Sequence, residues 1–351
     1  MSLNPSASNA PHRRTVPLTL AVVLIVVVAG VAAAGAAAYY TLKPPAASSG
    51  GAHTVTVVDD LGRTVTAPID PTRIVVLAPS VMDIVYRLGL RTDVVGYGCT
   101  ASEAGGILNE YSVNQTVRWD LNNSGCIADF PSLDTEAVAN LSAQLVLAST
   151  LTSAQDVSTL TETYGIPVVV LAPSTLEGII GDVRIVEQIF PEAASAANAL
   201  TSTLAQTLQN ASAFVQNVTG YSSGSGVPLP TVLLSYYFDS GGYYSYSQGT
   251  FGDSLITFMG GRNIAADIPV PYGEVNATYV LSAQPNFLLY ATSWHDPYLT
   301  SGENNATAWS AAPYWNQLNG TKVGIDVTLL SEPDPTMILA LPYLESILYP
   351  A

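Results

Sequence analysis

The sequence predicts an α/β protein in which two lobes, each built on a parallel sheet, are joined by a long helix and preceded by one transmembrane helix. Short continuous runs of Val, Ile and Leu alternate with helical patterns, which is typical of parallel sheets covered on both faces. An Ala-rich helical stretch from Leu176 to Val218 contains no strand pattern. About 300 residues follow the N-terminal apolar run, which is more than one typical domain holds. These three observations predict two sheets with a helical connection.

An apolar run without any charge extends from Val16 to Tyr40. At about 1.5 Å per residue, a helix of this length exceeds the ~30 Å hydrocarbon core of a bilayer. Arg13 and Arg14 precede it without an acidic residue, and such a flank stays in the cytoplasm. We therefore predict a cytoplasmic tail, a membrane anchor and a flexible stalk at residues 1–15, 16–40 and 41–53. A cleaved signal peptide is the alternative, because Ala36–Ala38 offers small residues at a cleavage point.

The first lobe is predicted at residues 54–175. An alternating pattern around the turn Asp59–Arg63 predicts a hairpin at its start. A helix is predicted from Val81 to Leu88, ended by Gly89. Buried strands are predicted at Arg73–Leu77, Val94–Gly96, Leu145–Ala148 and Pro167–Leu171.

The linking segment, 176–219, is predicted to be helical with one break at Pro191, and the second lobe follows at 220–351. A second series of elements is predicted there, with strands at Thr231–Ser235, Phe287–Tyr290 and Lys322–Asp326, and helices at Ser254–Met259 and Thr336–Leu348. In open α/β sheets, ligands bind beyond the carboxyl ends of the strands. With two lobes, we expect these loops to face each other across a cleft.

Beyond the anchor the chain is strongly acidic. Subtracting Arg13, Arg14 and Lys43 from the 11 basic residues leaves 8 against 27 acidic residues, a net charge of −19, which excludes nucleic-acid binding. Charged residues make up only 11%, against about 25% typically. Polarity comes instead from Ser, Thr, Asn, Gln and Tyr, so we hypothesise a surface suited to an acidic medium. Solubility supplied by glycans is the alternative.

Two further features agree with an exported domain. Asn-x-Ser/Thr sequons begin at Asn114, Asn122, Asn140, Asn210, Asn217, Asn276, Asn305 and Asn319. Cys99 and Cys126 are the only cysteines, and in an oxidising exterior they suggest a disulfide closing a loop of 26 residues. The sequence alone leaves the pairing open, because pairing depends on geometry.

Several short motifs share their order with a known family. They are Val57–Val65, Pro71–Val75, Leu77–Ser80, Pro131–Glu136, Gly260–Asp267 and Pro335–Pro350. From about Val55 to the C-terminus, the chain thereby resembles the substrate-binding proteins of iron-siderophore, haem and cobalamin ABC importers, which have the class III periplasmic-binding-protein fold. The resemblance implies two lobes linked by a long helix, slight closure on the ligand, and docking on a permease through one acidic residue on each lobe.

The resemblance places the first docking residue at Asp83. A carboxylate favoured by the helix macrodipole is the structural alternative at that position. The second family position falls on Thr278, which carries no charge, so Glu274, four residues earlier, is the candidate substitute. A glycan on Asn276, whose sequon Thr278 completes, would obstruct such docking.

Tyrosines crowd the segment after the first strand of the second lobe, and Tyr offers flat apolar area suited to a large planar or macrocyclic ligand. Gly241 and Gly242 favour a loop there, and a loop packed on its own rings is the structural alternative. The predicted ligand-binding residues are Ser80, Met82, Tyr97, Trp119, Tyr236, Tyr237, Tyr244, Tyr246, Trp294 and His295.

The predicted cleft is aromatic and poor in cations, with Arg118 as the remaining candidate arginine. This favours a near-neutral bulky ligand, such as a corrinoid or a haem with His295 as axial ligand, over a highly charged ferric catecholate. Neither a cofactor nor a zinc or manganese site is expected, because such metal sites usually need several His or Cys ligands.

The sequence thus predicts a membrane-anchored extracytoplasmic receptor without enzymatic activity. It would capture a bulky metal chelate (corrinoid, haem or ferric siderophore) and deliver it to an ABC permease. A glycosylated surface or adhesion protein is an alternative that explains the sequons but not the paired lobes. A Ser-His-Asp hydrolase would depend on His295, and the sequence has no G-x-S-x-G elbow.

Overall fold

The computed structural model describes residues 53–99, 125–129, 132–220, 228–292, 306–326 and 332–349, all within one compact unit formed by residues 51–351. Within these ranges, no helix combines the length and the apolar character needed to cross a bilayer. The predicted tail at 1–15 and anchor at 16–40 lie outside the described residues, as does most of the predicted stalk at 41–53.

The predicted hairpin is confirmed. β1 (Thr54–Val58) and β2 (Thr64–Pro68) pair in antiparallel fashion. The buried carboxylate of Asp59 organises the turn between them, because it accepts hydrogen bonds from the backbone N–H groups of Leu61 and Arg63. It also forms an ion pair with the Arg63 guanidinium and accepts a hydrogen bond from the Val170 N–H, 3.1 Å away. One side chain thus joins the hairpin to a strand more than 100 residues away in sequence.

Replacing Asp59 by Ala should lower the free energy of unfolding by about 3–5 kcal/mol. The change leaves the Arg63 guanidinium, which is 15% exposed, without its carboxylate and removes acceptors from three backbone N–H groups. Denaturant unfolding measures the loss. Asp134→Ala is the control, because Asp134 is an exposed helix cap and should cost only about 1 kcal/mol. Equal losses in the two variants would contradict the role assigned to Asp59.

The first sheet is parallel throughout, as predicted, with the strand order β5-β4-β3-β6-β7. Its strands are β3 (Ile74–Val76), β4 (Val94–Cys99), β5 (Cys126–Ala128), β6 (Leu145–Ala148) and β7 (Val168–Val170). Because side chains alternate along a strand, Leu145 and Leu147 enter one core while Val146 and Ala148 enter another on the opposite face. This explains why the strand is apolar without interruption.

The helices around this sheet are α1 (Pro79–Arg87), α2 (Thr135–Asn140) and α3 (Ala154–Ser158), with a 3-10 turn at Arg91–Asp93 and a π-helical turn at Thr159–Thr163. Gly89 follows α1 with a φ of +79°, a conformation that glycine adopts without strain. The predicted end of this helix is therefore confirmed.

The linking segment is helical and breaks at Pro191, as predicted. It consists of α4 (Leu176–Ile189), a 3-10 turn (Pro191–Ala193) and α5 (Ala194–Thr219). α5 has no charged side chain in its 26 residues. Hydroxyl groups along it, including those of Thr203 and Thr207, donate to backbone carbonyls one turn earlier. Its buried stripe, which includes Leu204 and Leu208, packs against the rest of the fold.

The second sheet is mixed, with the order β11-β9-β8-β12-β13 and β10 beside the start of β8. Its strands are β8 (Thr231–Phe238), β9 (Gly242–Tyr246), β10 (Arg262–Asn263), β11 (Tyr272–Asn276), β12 (Phe287–Thr292) and β13 (Thr321–Asp326). β8, β10, β12 and β13 are parallel, but β9 and β11 are antiparallel additions. The prediction of a purely parallel second sheet is therefore wrong.

The helices of this half are α6 (Phe251–Phe258), α7 (Ala277–Ala283), α8 (Ala306–Trp309), α9 (Pro335–Leu339) and α10 (Leu341–Leu348), with a 3-10 turn at Trp315–Gln317. The final helix predicted at Thr336–Leu348 is in fact two helices. Pro342 lies in the first turn of α10 and has no N–H to continue the bonding of α9.

One continuous apolar core runs from a face of the first sheet through α4 and α5 to the second sheet, and a smaller core covers the other face of the first sheet. Two sheets and a helical connection are thus present as predicted. The exact bounds of the lobes, 54–175, 176–219 and 220–351, stay predictions.

Cys126 forms a disulfide. Cys99, the only other cysteine of the chain, lies on the neighbouring strand β4. The arrangement agrees with the pairing that the sequence suggests, at the outer edge of the first sheet.

Candidate ligand-binding site

The tyrosine-rich segment is a β-hairpin and not the loop that Gly241 and Gly242 suggested. β8 and β9 pair so that Tyr237 lies opposite Tyr244. Gly242 permits the next pairing, because a Cβ atom at this position would lie 2.1 Å from the carbonyl oxygen of Val275 on β11. The missing side chain thus serves close strand approach. We call the surface formed by Tyr236, Tyr237 and Tyr244 at the carboxyl end of β8 the tyrosine hairpin.

Rings in this half form a continuous chain from β11 to the interior. Successive ring centroids are separated by 5.7 Å (Tyr272–Tyr246), 5.2 Å (Tyr246–Tyr236), 6.4 Å (Tyr236–Tyr244), 5.3 Å (Tyr244–Tyr237), 6.4 Å (Tyr237–Phe238), 5.0 Å (Phe238–Trp309) and 5.3 Å (Trp309–Tyr290). Tyr272 and Tyr237 are 58% and 38% exposed, whereas Trp309 is fully buried. The chain therefore offers ring surface to solvent on a packed aromatic base.

Polar contacts fix the rings of the hairpin. The Tyr244 hydroxyl donates to Asp239 Oδ2 over 3.1 Å, and Asp239 Oδ1 accepts from the Gly241 N–H over 2.7 Å. Ser235 Oγ donates to the Tyr244 carbonyl over 2.8 Å. The Tyr243 ring points into the core, where its hydroxyl donates to the Pro313 carbonyl. Side chains alternate, so the hairpin shows some of its tyrosines to solvent and buries the others.

The surroundings of the hairpin are acidic. Hydrogen bonding, first of all from the Gly241 N–H, holds the pKa of Asp239 below its usual value. Desolvation, followed by the bond to Asp239, raises the pKa of the Tyr244 phenol. Glu274 lies opposite Tyr244 on β11, and its carboxylate lies over Gly241. Burial and, secondarily, Glu332 raise the pKa of Tyr272. Asp239 and Glu274 therefore border the exposed rings, and the enclosed carboxyl group of Glu332 lies near Tyr272.

Basic side chains in the described ranges are largely engaged elsewhere. Arg63, Arg87 and Arg184 form ion pairs with Asp59, Asp83 and Glu187, and Arg73 binds the Leu141 carbonyl. Lys322 Nζ lies 5.5 Å from the centroid of Trp315, whose ring contacts Tyr290, and donates to the Leu318 carbonyl. The charged groups found beside the tyrosine hairpin in the described ranges are the carboxylates of Asp239 and Glu274.

The structure describes three of the ligand-binding residues predicted in the first half, and all three are buried: Ser80, Met82 and Tyr97. Ser80 is buried and donates both its backbone N–H and its hydroxyl to Glu332. Met82 and Tyr97, only 2% and 7% exposed, belong to the apolar core, so the prediction that they contact ligand is wrong for this conformation. The same correction applies to Tyr246, whose ring is buried as support between Tyr236 and Tyr272.

Of the two predicted docking residues, Asp83 is buried and Glu274 is exposed. Asp83 is buried on α1 in an ion pair with Arg87, 2.7 Å long, and faces Thr336 of α9. Its carboxylate is not presented at the surface, which contradicts a docking role in this conformation. Glu274 is exposed, but it lies beside Tyr244, so it belongs to the border of the tyrosine hairpin.

Trp119, Trp294 and His295 lie outside the described residues, as does Arg118. The structure in turn identifies residues that sequence analysis missed: Tyr272 at the edge of the sheet, Trp309 beneath the rings, and Glu332. Only Tyr272 had a usable signal, since Ile268, Val270 and Tyr272 occupy alternate positions, a pattern typical of a strand. Trp309 and Glu332 follow no periodic pattern.

No group of three or more His, Cys, Asp or Glu side chains in the described part of the chain is arranged to hold a metal ion. The described sequon residues Asn140, Asn210, Asn217, Asn276 and Asn319 are all exposed. The Asn276 side chain also caps α7, because its Oδ1 accepts from the Thr278 N–H over 2.9 Å.

No model of a known protein family matches the chain, and no curated protein matches its sequence. Its fold is similar to that of solved binding proteins. The periplasmic heme-binding protein RhuT from Roseiflexus sp. RS-1, in apo form, is 21% identical, with a TM-score of 0.59 over 79% of this chain and 97% of that one. A protein of the ABC-type Fe3+-hydroxamate transport system from Saccharomonospora viridis is 19% identical, with a TM-score of 0.62 over 85% and 99%.

The periplasmic vitamin B12 binding protein BtuF of Vibrio cholerae is 19% identical, with a TM-score of 0.60 over 80% of this chain and 98% of that one. At such identities, the likeness establishes the fold. This chain therefore has the two-sheet α/β fold of the periplasmic heme, hydroxamate and B12 binding proteins, as its motifs led us to expect.

Proposed function

We propose that this protein is the extracytoplasmic receptor of an ABC importer. It would bind a bulky metal chelate between its two halves and pass it to a permease without chemical change. The single observation that supports this most is the tyrosine hairpin at the carboxyl end of β8, on a fold shared with binding proteins almost along their whole length. In this class of sheet, that end is where ligands bind.

The charge around the hairpin favours one kind of chelate. Asp239 and Glu274 would repel an anionic catecholate complex, and Arg63, Arg87 and Arg184 are bound to other carboxylates. The flat ring surface suits a near-neutral corrinoid or a hydroxamate chelate, whose three hydroxamate anions neutralise Fe³⁺. A haem would need a ligand such as His295 to hold its iron.

Location and modification form part of the proposal. Residues 16–40 would anchor the chain, with 1–15 in the cytoplasm and the receptor outside, and Cys126 in a disulfide agrees with an oxidising exterior. The exposed sequon residues would accept glycans. Docking on the permease would use Glu274, which is exposed.

Replacing Tyr237 by Ala should weaken chelate binding by about 1–3 kcal/mol, or roughly 5- to 150-fold in Kd, because it removes an exposed ring from the centre of the hairpin. The measurement is quenching of intrinsic fluorescence, titrated separately with cobalamin, haem and a ferric trihydroxamate. Circular dichroism shows whether the variant is folded.

Tyr164→Ala is the matched control. Tyr164 is 40% exposed, close to the 38% of Tyr237, but it precedes β7 and so lies at the amino ends of the first sheet's strands. Its replacement should leave Kd unchanged. If the wild-type protein binds none of the three chelates, the proposed ligand class is wrong; if both variants lose affinity equally, the assignment of the site is wrong.

A further inference from the structure

The contact between α1 and α9 joins the two halves through acidic groups. α1 follows the first strand of the first sheet, and α9 follows the last strand of the second sheet. We call the set Asp83, Arg87, Glu332, Asp334 and Thr336 the acid joint. Asp83 and Asp334 are 2% and 9% exposed, so their charges lie within the protein.

A set of hydrogen bonds connects α1 to α9 across the acid joint. Arg87 Nε donates to Asp83 Oδ2 over 2.7 Å, and Arg87 Nη2 donates to Thr336 Oγ1 over 2.7 Å. The Thr336 hydroxyl donates in turn to Asp83 Oδ2 over 3.3 Å. Asp334 caps α9 by accepting the Met337 N–H at Oδ1 over 2.9 Å.

Glu332 makes the second connection between the halves. It accepts the backbone N–H and the hydroxyl of Ser80 in the first turn of α1, where Ala78 provides no side-chain cap. A carboxyl group from one half thus caps a helix of the other half. As a residue Glu332 keeps some exposed surface, but its carboxyl group is enclosed by protein.

The joint holds three carboxyl groups and one guanidinium. Around it, α5 is uncharged, and β11 offers the neutral Tyr272. The remaining charged groups on the packed helices are Glu177, which is exposed, Asp182, which faces Asp60, Arg184, which binds Glu187, and Glu345 of α10. Among the described groups, Arg87 therefore has no cationic companion, and full ionisation would leave an excess of two negative charges.

Buried like charges resist ionisation. Burial, followed by the negative charge of Asp83, raises the pKa of Asp334 well above its usual value. Burial raises the pKa of Glu332 to about 7, against the opposing hydrogen bonds from Ser80. Asp83 forms an ion pair with the Arg87 guanidinium. We therefore assign the additional protons that the joint binds to Asp334 and Glu332.

We propose that the acid joint is a proton-dependent connection, which holds α1 and α9 together in acidic surroundings and loosens as the medium becomes neutral to alkaline. A carboxyl whose folded-state pKa is raised binds its proton more tightly in the folded joint. Its stabilisation is therefore full near pH 4 and is lost as the pH rises through the raised value. The inference goes beyond the proposed function and needs no ligand. It also supports the hypothesis of an acidic medium.

Amide hydrogen exchange on the full chain tests the joint. In wild type, protection of peptides covering 79–88 and 332–349 should fall about tenfold or more between pH 5 and pH 8, after correction for intrinsic exchange rates. Protection of β6 in the core reports global unfolding, which also depends on the proton of Asp182, so the test compares the joint peptides of wild type with those of the variants. Asp334→Asn keeps the Oδ1 cap of α9 but cannot ionise. In this variant, the decrease in the logarithm of the protection factor between pH 5 and pH 8 should be less than half of that in wild type.

The control is Asp134→Asn, since Asp134 is also a helix-capping aspartate, accepting the Ala137 N–H over 2.9 Å, but is exposed. It should show the wild-type profile. Glu332→Gln provides a second test should Asp334→Asn fail to fold, because the amide oxygen can still accept from Ser80. Constant wild-type protection of the joint peptides, or an unchanged fall in the tested variant, would each overturn the proposal.

Discussion

Asp182→Asn should stabilise the protein by about 2–4 kcal/mol at pH 7 and flatten its pH dependence. Asp182 on α4 is 1% exposed, and burial, followed by the negative charge of Asp60, raises its pKa to about 9. The folded protein must therefore hold a proton at pH 7 that the unfolded chain releases near pH 4, at about 1.4 kcal/mol per pH unit. An amide removes this cost and can still donate to Asp60.

The sign of the wild-type dependence follows from the raised pKa. Stability should be greatest near pH 4 and fall as the pH rises towards 9, because the folded state binds the extra proton throughout this window. Thermal unfolding of both proteins between pH 4 and pH 9 measures it. Asp267→Asn, which removes an exposed charge, is the control and should follow the wild type. A variant less stable than wild type at pH 8 would contradict the assignment.

Trp309→Ala should lower the free energy of unfolding by about 3–5 kcal/mol and weaken chelate binding as well. Trp309 is fully buried, lies 5.0 Å from Phe238 and 5.3 Å from Tyr290 between ring centroids, and donates Nε1–H to the Ala291 carbonyl over 2.8 Å. Its removal leaves a large cavity beneath the tyrosine hairpin and an unpaired carbonyl. The loss is a large share of a typical total stability of about 5–15 kcal/mol.

Trp309→Phe separates the two contributions. The ring remains, so the cost should drop to about 1–2 kcal/mol, mostly from the lost Nε1 donor. Denaturant unfolding gives the stabilities, and the chelate titration shows whether binding recovers with the ring. Equal stability of Trp309→Ala and wild type would mean that Trp309 does not support the hairpin.

The strands of the sheets were predictable where the local residue pattern alone determines the structure. Val75 and Val146 lie in strands whose two faces are both buried, so their segments are apolar throughout and could be recognised without any partner. Pro191 ended α4 for an equally local reason, since proline cannot continue a helix. The hairpin of β1 and β2 was predictable from its turn residues and from the alternation of apolar and polar side chains along its strands.

The failures share a different cause. The sequence places Asp83 near the start of a helix, but the group that covers it, Thr336, lies 253 residues away. Likewise, Gly242 looks like a loop residue until β11 packs against its missing side chain. Met82 follows closely after a predicted strand, where ligand-binding residues were expected, yet it faces the core. Which face of an element is covered depends on partners distant in sequence, and a local pattern does not contain them.

The uncharged surface of α5 has a consequence for behaviour in different salts. Its exposed amide and hydroxyl groups, such as those of Gln206 and Thr203, carry no charge for added salt to screen. Concentrated electrolytes weaken a surface stabilised by ion pairs, whereas this helix has none to lose. We therefore expect α5, which connects the two halves, to be equally stable as a helix at low and at high salt concentration.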